Sequence, residues 1–420
     1  MIRMENNMFD EIKKPELLIP AGNLENLKTA IMYGADAIYI GGDMYGLRAK
    51  AKNFSMEDMK AGIEFAHSHG KKVYVTANIT AHNHDLEGIR KYFKELKEFG
   101  ESRPDALIIS DPGVFSIALE IVPEIEVHIS TQANNTNYET YRFWHKLGAT
   151  RVVSARELSL AELVELRANI PPEMEIETFV HGAMCIAYSG RCLLSNYFTG
   201  RDANMGACTH SCRWKYHIVE ETRPGEYLPI EENERGTYIF NSKDLCMIEY
   251  IPELVKSGIN SLKVEGRMKT ALYVATVART YRKAIDDFFE DQAKYETNKA
   301  WYMEEIKKGV NRQFTTGFFF DKPTHEEQIY DHNTYEKAYT YLGTIAGEKD
   351  GLYELEQKNK FTVGETVEVM KPGGDTIETT VKRITDKDGV DMESCPHPQQ
   401  LIYVDLGIEM NSFDIIRRKE

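Results

Sequence analysis

The sequence has no run of apolar residues near the ~18 that a membrane-spanning helix needs, so no membrane partner is expected. It has no leader-like start either: Met1 to Lys14 is polar and acidic, and the first strand-like segment begins at Glu16. A cytoplasmic protein is the expectation. Positive charge is in short supply, with 51 Lys and Arg against 66 Asp and Glu, a formal net charge of −15. That balance argues against indiscriminate nucleic-acid binding while leaving room for a local basic patch. There is no His-Glu-x-x-His zinc motif, no Gly-x-Ser-x-Gly elbow and no Cys-x2-Cys pair of the zinc-ribbon kind. Internal repeats and low-complexity tracts are also absent.

At 420 residues the chain exceeds the roughly 250–300 at which one core stops growing, so two domains are expected. Short apolar segments recur at Leu17–Pro20, Ala37–Ile40, Val73–Ala77, Ala106–Ile109, Val127–Ser130, Arg151–Ser154, Ile176–Val180 and Leu262–Val264. Amphipathic segments at helical spacing separate most of them, among them Leu24–Tyr33, Met56–His67, Leu86–Phe99, Val114–Val122, Tyr138–Leu147 and Leu158–Ile170. Eight strands alternating with helices predict an α/β fold, a TIM-like (β/α)8 barrel, over residues 1–290. About 80 residues separate the seventh strand from the eighth, against ~30 for an ordinary βαβ unit. This insertion, at about 183–246, carries five of the six cysteines.

Past the eighth strand, Ala271–Phe288 reads as a long helix, and a second is expected near Glu304–Phe314, within a helical connector over 291–335. From there the pattern changes to alternation with turn signals, as in Glu365–Met370, Ile377–Ile384 and Leu401–Asp405. A small β-barrel domain is predicted over 336–420.

Active sites of (β/α)8 barrels lie at the C-terminal ends of the strands. There this sequence collects Asn23, Gly41, Asn78, Asp111, His128, Ser130, Gln132, Arg156, Glu157, His181, Glu265 and Arg267. The cysteines follow the pattern Cys185-x6-Cys192-x15-Cys208-x3-Cys212, with Cys246 34 residues further on and Cys395 isolated in the tail. Clustered thiols without an exporting leader point to metal or redox chemistry rather than disulfides, and by spacing alone both zinc and an iron–sulfur cluster stay open. Two stretches mix cations with aromatic rings, a pattern suited to phosphate contact and base stacking: Arg48, Lys50 and Lys52 beside Phe54, and Arg213, Trp214, Lys215 and Tyr216.

The segment Glu177-Thr-Phe179-Val-His-Gly182-Ala-Met-Cys185-Ile-Ala-Tyr-Ser-Gly190-Arg-Cys192-Leu-Leu-Ser195 resembles the signature of the collagenase-like peptidase family U32. Leu18-Ile-Pro-Ala-Gly22-Asn23, Gly34-Ala-Asp-Ala-Ile-Tyr-Ile-Gly-Gly42, Asn241-Ser-Lys-Asp244-Leu-Cys246 and Lys263-Val-Glu265-Gly-Arg267-Met-Lys269 extend the resemblance over the whole barrel. The tail is similar to that family's optional C-terminal β-barrel, itself like the second domain of translation elongation factors.

Within the family the chain looks most like the tRNA hydroxylation branch, in particular the longer member of the pair found in Gram-positive bacteria. The resemblance implies prephenate-dependent, oxygen-independent conversion of wobble uridine in tRNA to 5-hydroxyuridine, with prephenate as co-substrate and an iron–sulfur cluster of the 4Fe–4S type. It assigns the cluster ligands to Cys185, Cys192, Cys208 and Cys246, with Cys212 as the rival fourth. Arg267, His181, Glu265 and His128 become candidate catalytic residues, the histidines as proton shuttles. Arg48, Arg156, Arg213, Trp214 and Lys215 become candidate contacts to prephenate carboxylates or to tRNA. Two other readings remain: a non-catalytic cluster-bearing partner of a shorter barrel subunit, and the peptidase of the historical family name. Thiols that come as a cluster, rather than as one nucleophile with a histidine, speak against the peptidase.

Overall fold

The computed structural model describes residues 13–46, 53–185, 187–214, 241–323, 328–329, 336–397 and 399–420. The chain runs β1 (Glu16–Pro20), α1 (Leu24–Met32), β2 (Ala37–Gly41), α2 (Met56–Ser68), β3 (Lys72–Ala77), α3 (Leu86–Lys97), β4 (Ala106–Ile109) and α4 (Pro112–Ile121). It continues with β5 (Glu126–Ile129), α5 (Tyr138–Lys146), β6 (Arg151–Val153), α6 (Leu160–Asn169) and β7 (Glu175–Ala183). After these come α7 (Leu194–Thr199), β8 (Asn241–Ser242), β9 (Asp244–Cys246), α8 (Ile251–Lys256), β10 (Ser261–Val264), α9 (Ala271–Glu290) and α10 (Gln292–Lys307).

Strands β1 to β7 pair in parallel, and β10 closes the ring between β7 and β1, with Ser261 opposite both Glu16 and Glu177. The strands read as unbroken apolar runs because helices cover one face and the barrel interior the other. Helix starts are set by side chains that satisfy orphan N–H groups: Asn23 for α1, Asp111 followed by Pro112 for α4, and a reciprocal Ser159–Glu162 capping box for α6.

The base of the barrel interior is charged. Arg151 donates to Glu16 at 2.6 Å, Glu175 at 2.6 Å and Glu177 at 3.1 Å, and Lys263 bonds Glu177 at 2.6 Å. Burial pushes the Glu177 carboxyl up, but Lys263 and Arg151 overcome it and hold it below the ordinary range. Leu18, Ala37, Tyr39, Tyr74, Ala106 and Ile108 fill the interior beside this network.

At the mouth β7 runs on past the ring, and its residues His181 to Ala183 pair antiparallel with Cys246 to Asp244 of β9. The second helix differs from expectation: it begins under an Asp291 cap and ends at Lys307. Phe314 instead starts a short strand, β11 (Phe314–Thr315), beside β9. A two-residue strand, β12 (Gln328–Ile329), pairs with β8.

The tail holds β13 (Tyr339–Lys349), β14 (Leu352–Glu356), β15 (Thr366–Met370), β16 (Thr376–Thr380), β17 (Arg383–Asp386), β18 (Leu401–Asp405) and β19 (Ile415–Lys419). They form one antiparallel half-barrel sheet in the order β16-β15-β19-β13-β14-β18-β17, around its own core of Leu342, Leu355, Val369, Ile384, Val404 and Ile416. The expected single run Ile377–Ile384 splits into β16 and β17, which lie at opposite ends of that sheet. The domain is tied to the barrel by buried polar contacts: Tyr33 Oη donates to the Met370 carbonyl at 2.7 Å, and Arg417 meets Glu305 of α10 at 3.0 Å.

Candidate functional site

Where the chain leaves β7, the described part of the insertion and the loops of the barrel mouth border an open-sided cavity of about 130 Å³. Cys185, Cys192, Cys208 and Cys212 all line it, together with Gln132, Arg156, His210 and Glu265 from the loops around it. None of these thiols is in a disulfide.

The cysteine loop is fixed to the mouth by short polar contacts. Asn134, after β5, has a left-handed backbone (φ 54°), donates to the Ser189 carbonyl at 3.1 Å and accepts from Arg191 Nε at 2.7 Å. Arg156, after β6, donates to Ser189 Oγ at 2.8 Å. Gly190 is required between these contacts: its φ is +77°, and a Cβ there would sit 2.1 Å from Gln132 Oε1. Further along, Thr209 N donates to Ser195 Oγ at 3.0 Å, which ties α7 to the segment carrying Cys208. The His210 N–H donates to Cys208 Sγ at 3.4 Å.

Among the described residues, no three His, Cys, Asp or Glu side chains converge on a point at metal-ligand separation. Thiols of this number are a donor set that either a zinc ion or an iron–sulfur cluster takes.

Cys246 stands apart from that wall. It is buried at the end of β9 opposite His181, against Tyr281 of α9, and burial pushes its thiol up to about 12. The resemblance ranked Cys246 above Cys212 as fourth ligand, whereas the cavity geometry brings Cys212 to the other three.

Three of the expected polar residues, Gln132, Arg156 and Glu265, meet the cavity. Glu265 and Arg156 face each other at 3.6 Å, and the Arg156 guanidinium lies over the Phe179 ring at 3.7 Å. Arg267 reaches across the mouth to Thr76 Oγ1 at 3.2 Å, at the end of β3. Its path needs Gly41, where a Cβ would lie 2.1 Å from Arg267 Nη1.

The two candidate histidines lie away from the cavity lining. A register irregularity opposite Lys263 and Val264 turns His181 out of the alternation. Its ring packs among Tyr273, Tyr281 and Phe314, and burial pushes its pKa down to about 4. His128 is buried in the barrel beside Tyr74, and burial together with the Arg151 charge lowers its pKa. Arg48 and Lys215 lie outside the described residues, and Arg213 is placed only by its backbone, in the turn Ser211–Arg213. Trp214 is exposed, its ring tilted at 50° to that of Phe198 of α7 with centroids 6.2 Å apart. Sequence reasoning passed over Asn134, Ser189, His210 and the adjacent rings Tyr197 and Phe198; an aromatic pair inside a glycine-rich polar insertion was the available signal for the last two.

Against known proteins, the profile described as Peptidase family U32 matches residues 22–329, and that of the Peptidase family U32 C-terminal domain matches 337–417. The chain is 41% identical to tRNA hydroxylation protein P1 of Bacillus subtilis, over 97% of this chain and 95% of that one. It is 41% identical to tRNA hydroxylation protein P of Escherichia coli, over 91% and 92% respectively. With tRNA hydroxylation protein P2 of Bacillus subtilis it shares 38% identity, over 74% of this chain and 98% of the shorter one. No helix among the described residues is long and apolar enough to cross a membrane.

Proposed function

This chain belongs to peptidase family U32, and we propose that it is an RNA-hydroxylating enzyme that converts wobble uridine of tRNA to 5-hydroxyuridine without molecular oxygen. The observation that carries the reading is the gathering of Cys185, Cys192, Cys208 and Cys212 around one cavity at the barrel mouth, beside Arg156 and Glu265. Near full-length similarity to tRNA hydroxylation proteins supplies the substrate class.

Replacing C5–H by C5–OH is a two-electron oxidation of the base, so the site needs a redox centre and a co-substrate. We assign these roles to an iron–sulfur cluster and prephenate. Bound there, the cluster would exchange single electrons or polarise an oxygen at an exposed iron. Cys185, Cys192 and Cys208 hold it, and the fourth thiolate comes from Cys212 on the cavity wall or from Cys246 at the end of β9. Arg156 and Arg267 are the carboxylate clamps for prephenate: each presents a guanidinium at the mouth, Arg156 stacked on Phe179 and Arg267 held by Thr76. Glu265 orients Arg156 and borders the cavity. Trp214, with Arg213, Lys215 and Arg48, belongs to the tRNA-contacting surface of this reading. A shorter chain like tRNA hydroxylation protein P2, which matches 74% of this chain over 98% of its own length, is the partner subunit of this reading.

Nucleoside mass spectrometry of tRNA from cells lacking this chain tests the reading. Loss of 5-hydroxyuridine derivatives, restored by wild type and not by Cys192→Ala, is expected. Persistence of the nucleoside in a strain that also lacks any shorter family member refutes it.

A further inference from the structure

Gln132 lines the cysteine cavity, and the proposed reaction gives it no role. Its backbone is fixed from several sides. The turn Thr131–Ala133 starts under Ser130, whose Oγ accepts from Gln132 N at 3.3 Å and from Asn78 Nδ2 at 3.2 Å. Thr131 Oγ1 donates to the Ser154 carbonyl at 3.0 Å, and Ala133 N donates to the Ser130 carbonyl at 3.0 Å. From this anchored turn the half-buried side chain reaches the cysteine loop, where only a glycine at position 190 leaves room for its Oε1.

Three side-chain amides stand close together in this segment, and two of them are committed. Asn134 bonds the Ser189 carbonyl and Arg191, and Asn135 accepts from Trp144 Nε1 at 3.0 Å. Among the described residues the Gln132 amide makes no hydrogen bond, and it is the one of the three that faces the cavity. A primary amide offers a donor and an acceptor side by side. The carboxylates of prephenate only accept, and Arg156 and Arg267 serve them. A paired donor and acceptor match instead the N3–H and O4 of uracil, an edge left free when the base is unpaired. C5 is bonded to C4, so an amide that grips O4 and N3–H fixes the rotation of the ring in its own plane, and with it the direction of the C5–H bond.

We propose that Gln132 reads the Watson–Crick edge of the target uracil, its Oε1 accepting from N3–H and its Nε2 donating to O4. The inference rests on the uridine-hydroxylase reading and adds to it the residue that recognises and orients the base.

The test measures binding of stem-loop RNA of anticodon-arm length to the full-length, anaerobically purified protein by fluorescence anisotropy. Two loops are compared, one with uridine and one with N3-methyluridine at the target position, against wild type, Gln132→Ala and Gln132→Met. The methyl group removes the N3–H donor and stands against Oε1. Wild type should therefore bind the methylated loop about 10- to 100-fold more weakly, the size of one or two hydrogen bonds lost with their partners left unpaired. In both variants the ratio should fall to within about 2-fold, because the group that senses the methyl is gone. The ratio is taken within one protein, so differences in folded fraction cancel. Equal binding of the two loops by wild type, or the wild-type ratio in either variant, overturns the assignment of Gln132 and leaves the hydroxylase reading intact. Weakened prephenate binding in the variants with the ratio preserved overturns it as well, and places the amide on the co-substrate. Failure of wild type to bind the uridine loop overturns both.

Discussion

At the base of the barrel, the buried cations Arg151 and Lys263 are locked to Glu16, Glu175 and Glu177 at 2.6 to 3.1 Å. At the mouth, the thiols of Cys185, Cys192, Cys208 and Cys212 surround a cavity, and the polar contacts go to the loops that carry them. Both ends are rich in chemistry-bearing residues, and both are composed of strand ends and adjoining loops. The difference lies in what the groups face. Charges at the base complete each other's hydrogen bonds and hold the ring closed, while the thiols at the mouth line a common space.

The comparison breaks most visibly if chemistry and stability respond to the wrong end. Cys192→Ala should abolish uridine hydroxylation, read by nucleoside mass spectrometry, while shifting the urea midpoint little, since Cys192 is only partly buried. Arg151→Met should do the reverse. It leaves Glu16 without its cation and Glu177 with Lys263 alone, at a cost of about 3–5 kcal/mol in unfolding free energy; an unchanged denaturation curve would show that the base network has no structural role. Gly41→Ala places a Cβ against the Arg267 guanidinium and should cost about 1–3 kcal/mol by overpacking. A rise in KM for prephenate in that variant would locate Arg267 in the binding step.

Of Cys212→Ser and Cys246→Ser, one should lose iron to the same extent as Cys192→Ala and the other should keep it. Loss in neither would contradict a four-thiolate cluster.

The smallest effect is expected far from both ends. Burial raises the Asp287 carboxyl, but hydrogen bonds from Tyr302, Asn298, Lys283 and Lys294 outweigh it and hold the pKa at about 2. Its unfolded value is about 3.9. The stabilisation is therefore complete above pH ~4 and disappears as pH falls toward 2. Asp287→Asn should flatten the acid limb of a stability-against-pH curve and leave hydroxylation unchanged.

Much of the barrel was legible because each strand is a short apolar run with a helical segment after it. The second connector helix was not, since Gln292–Lys307 has no apolar stripe; Tyr295 and Tyr302 anchor it by burying rings whose hydroxyls bond the Ile248 carbonyl and Asp287. The cysteine cluster was legible from spacing and resemblance. Which thiols share a wall depends on how the loop folds back, and Asn134 and Arg156, distant in sequence, decide that. That His181 packs among aromatic rings was not legible, since the irregularity in β7 reverses the face it presents. His128 does face inward as alternation requires, but into the charged base rather than toward the cysteines.

Iron and acid-labile sulfide content of the anaerobically purified chain tests the central claim most directly. Both should be present in wild type in near-equal amounts and absent from Cys192→Ala. Zinc without sulfide in wild type, or full hydroxylation of tRNA by protein free of iron, would contradict the account.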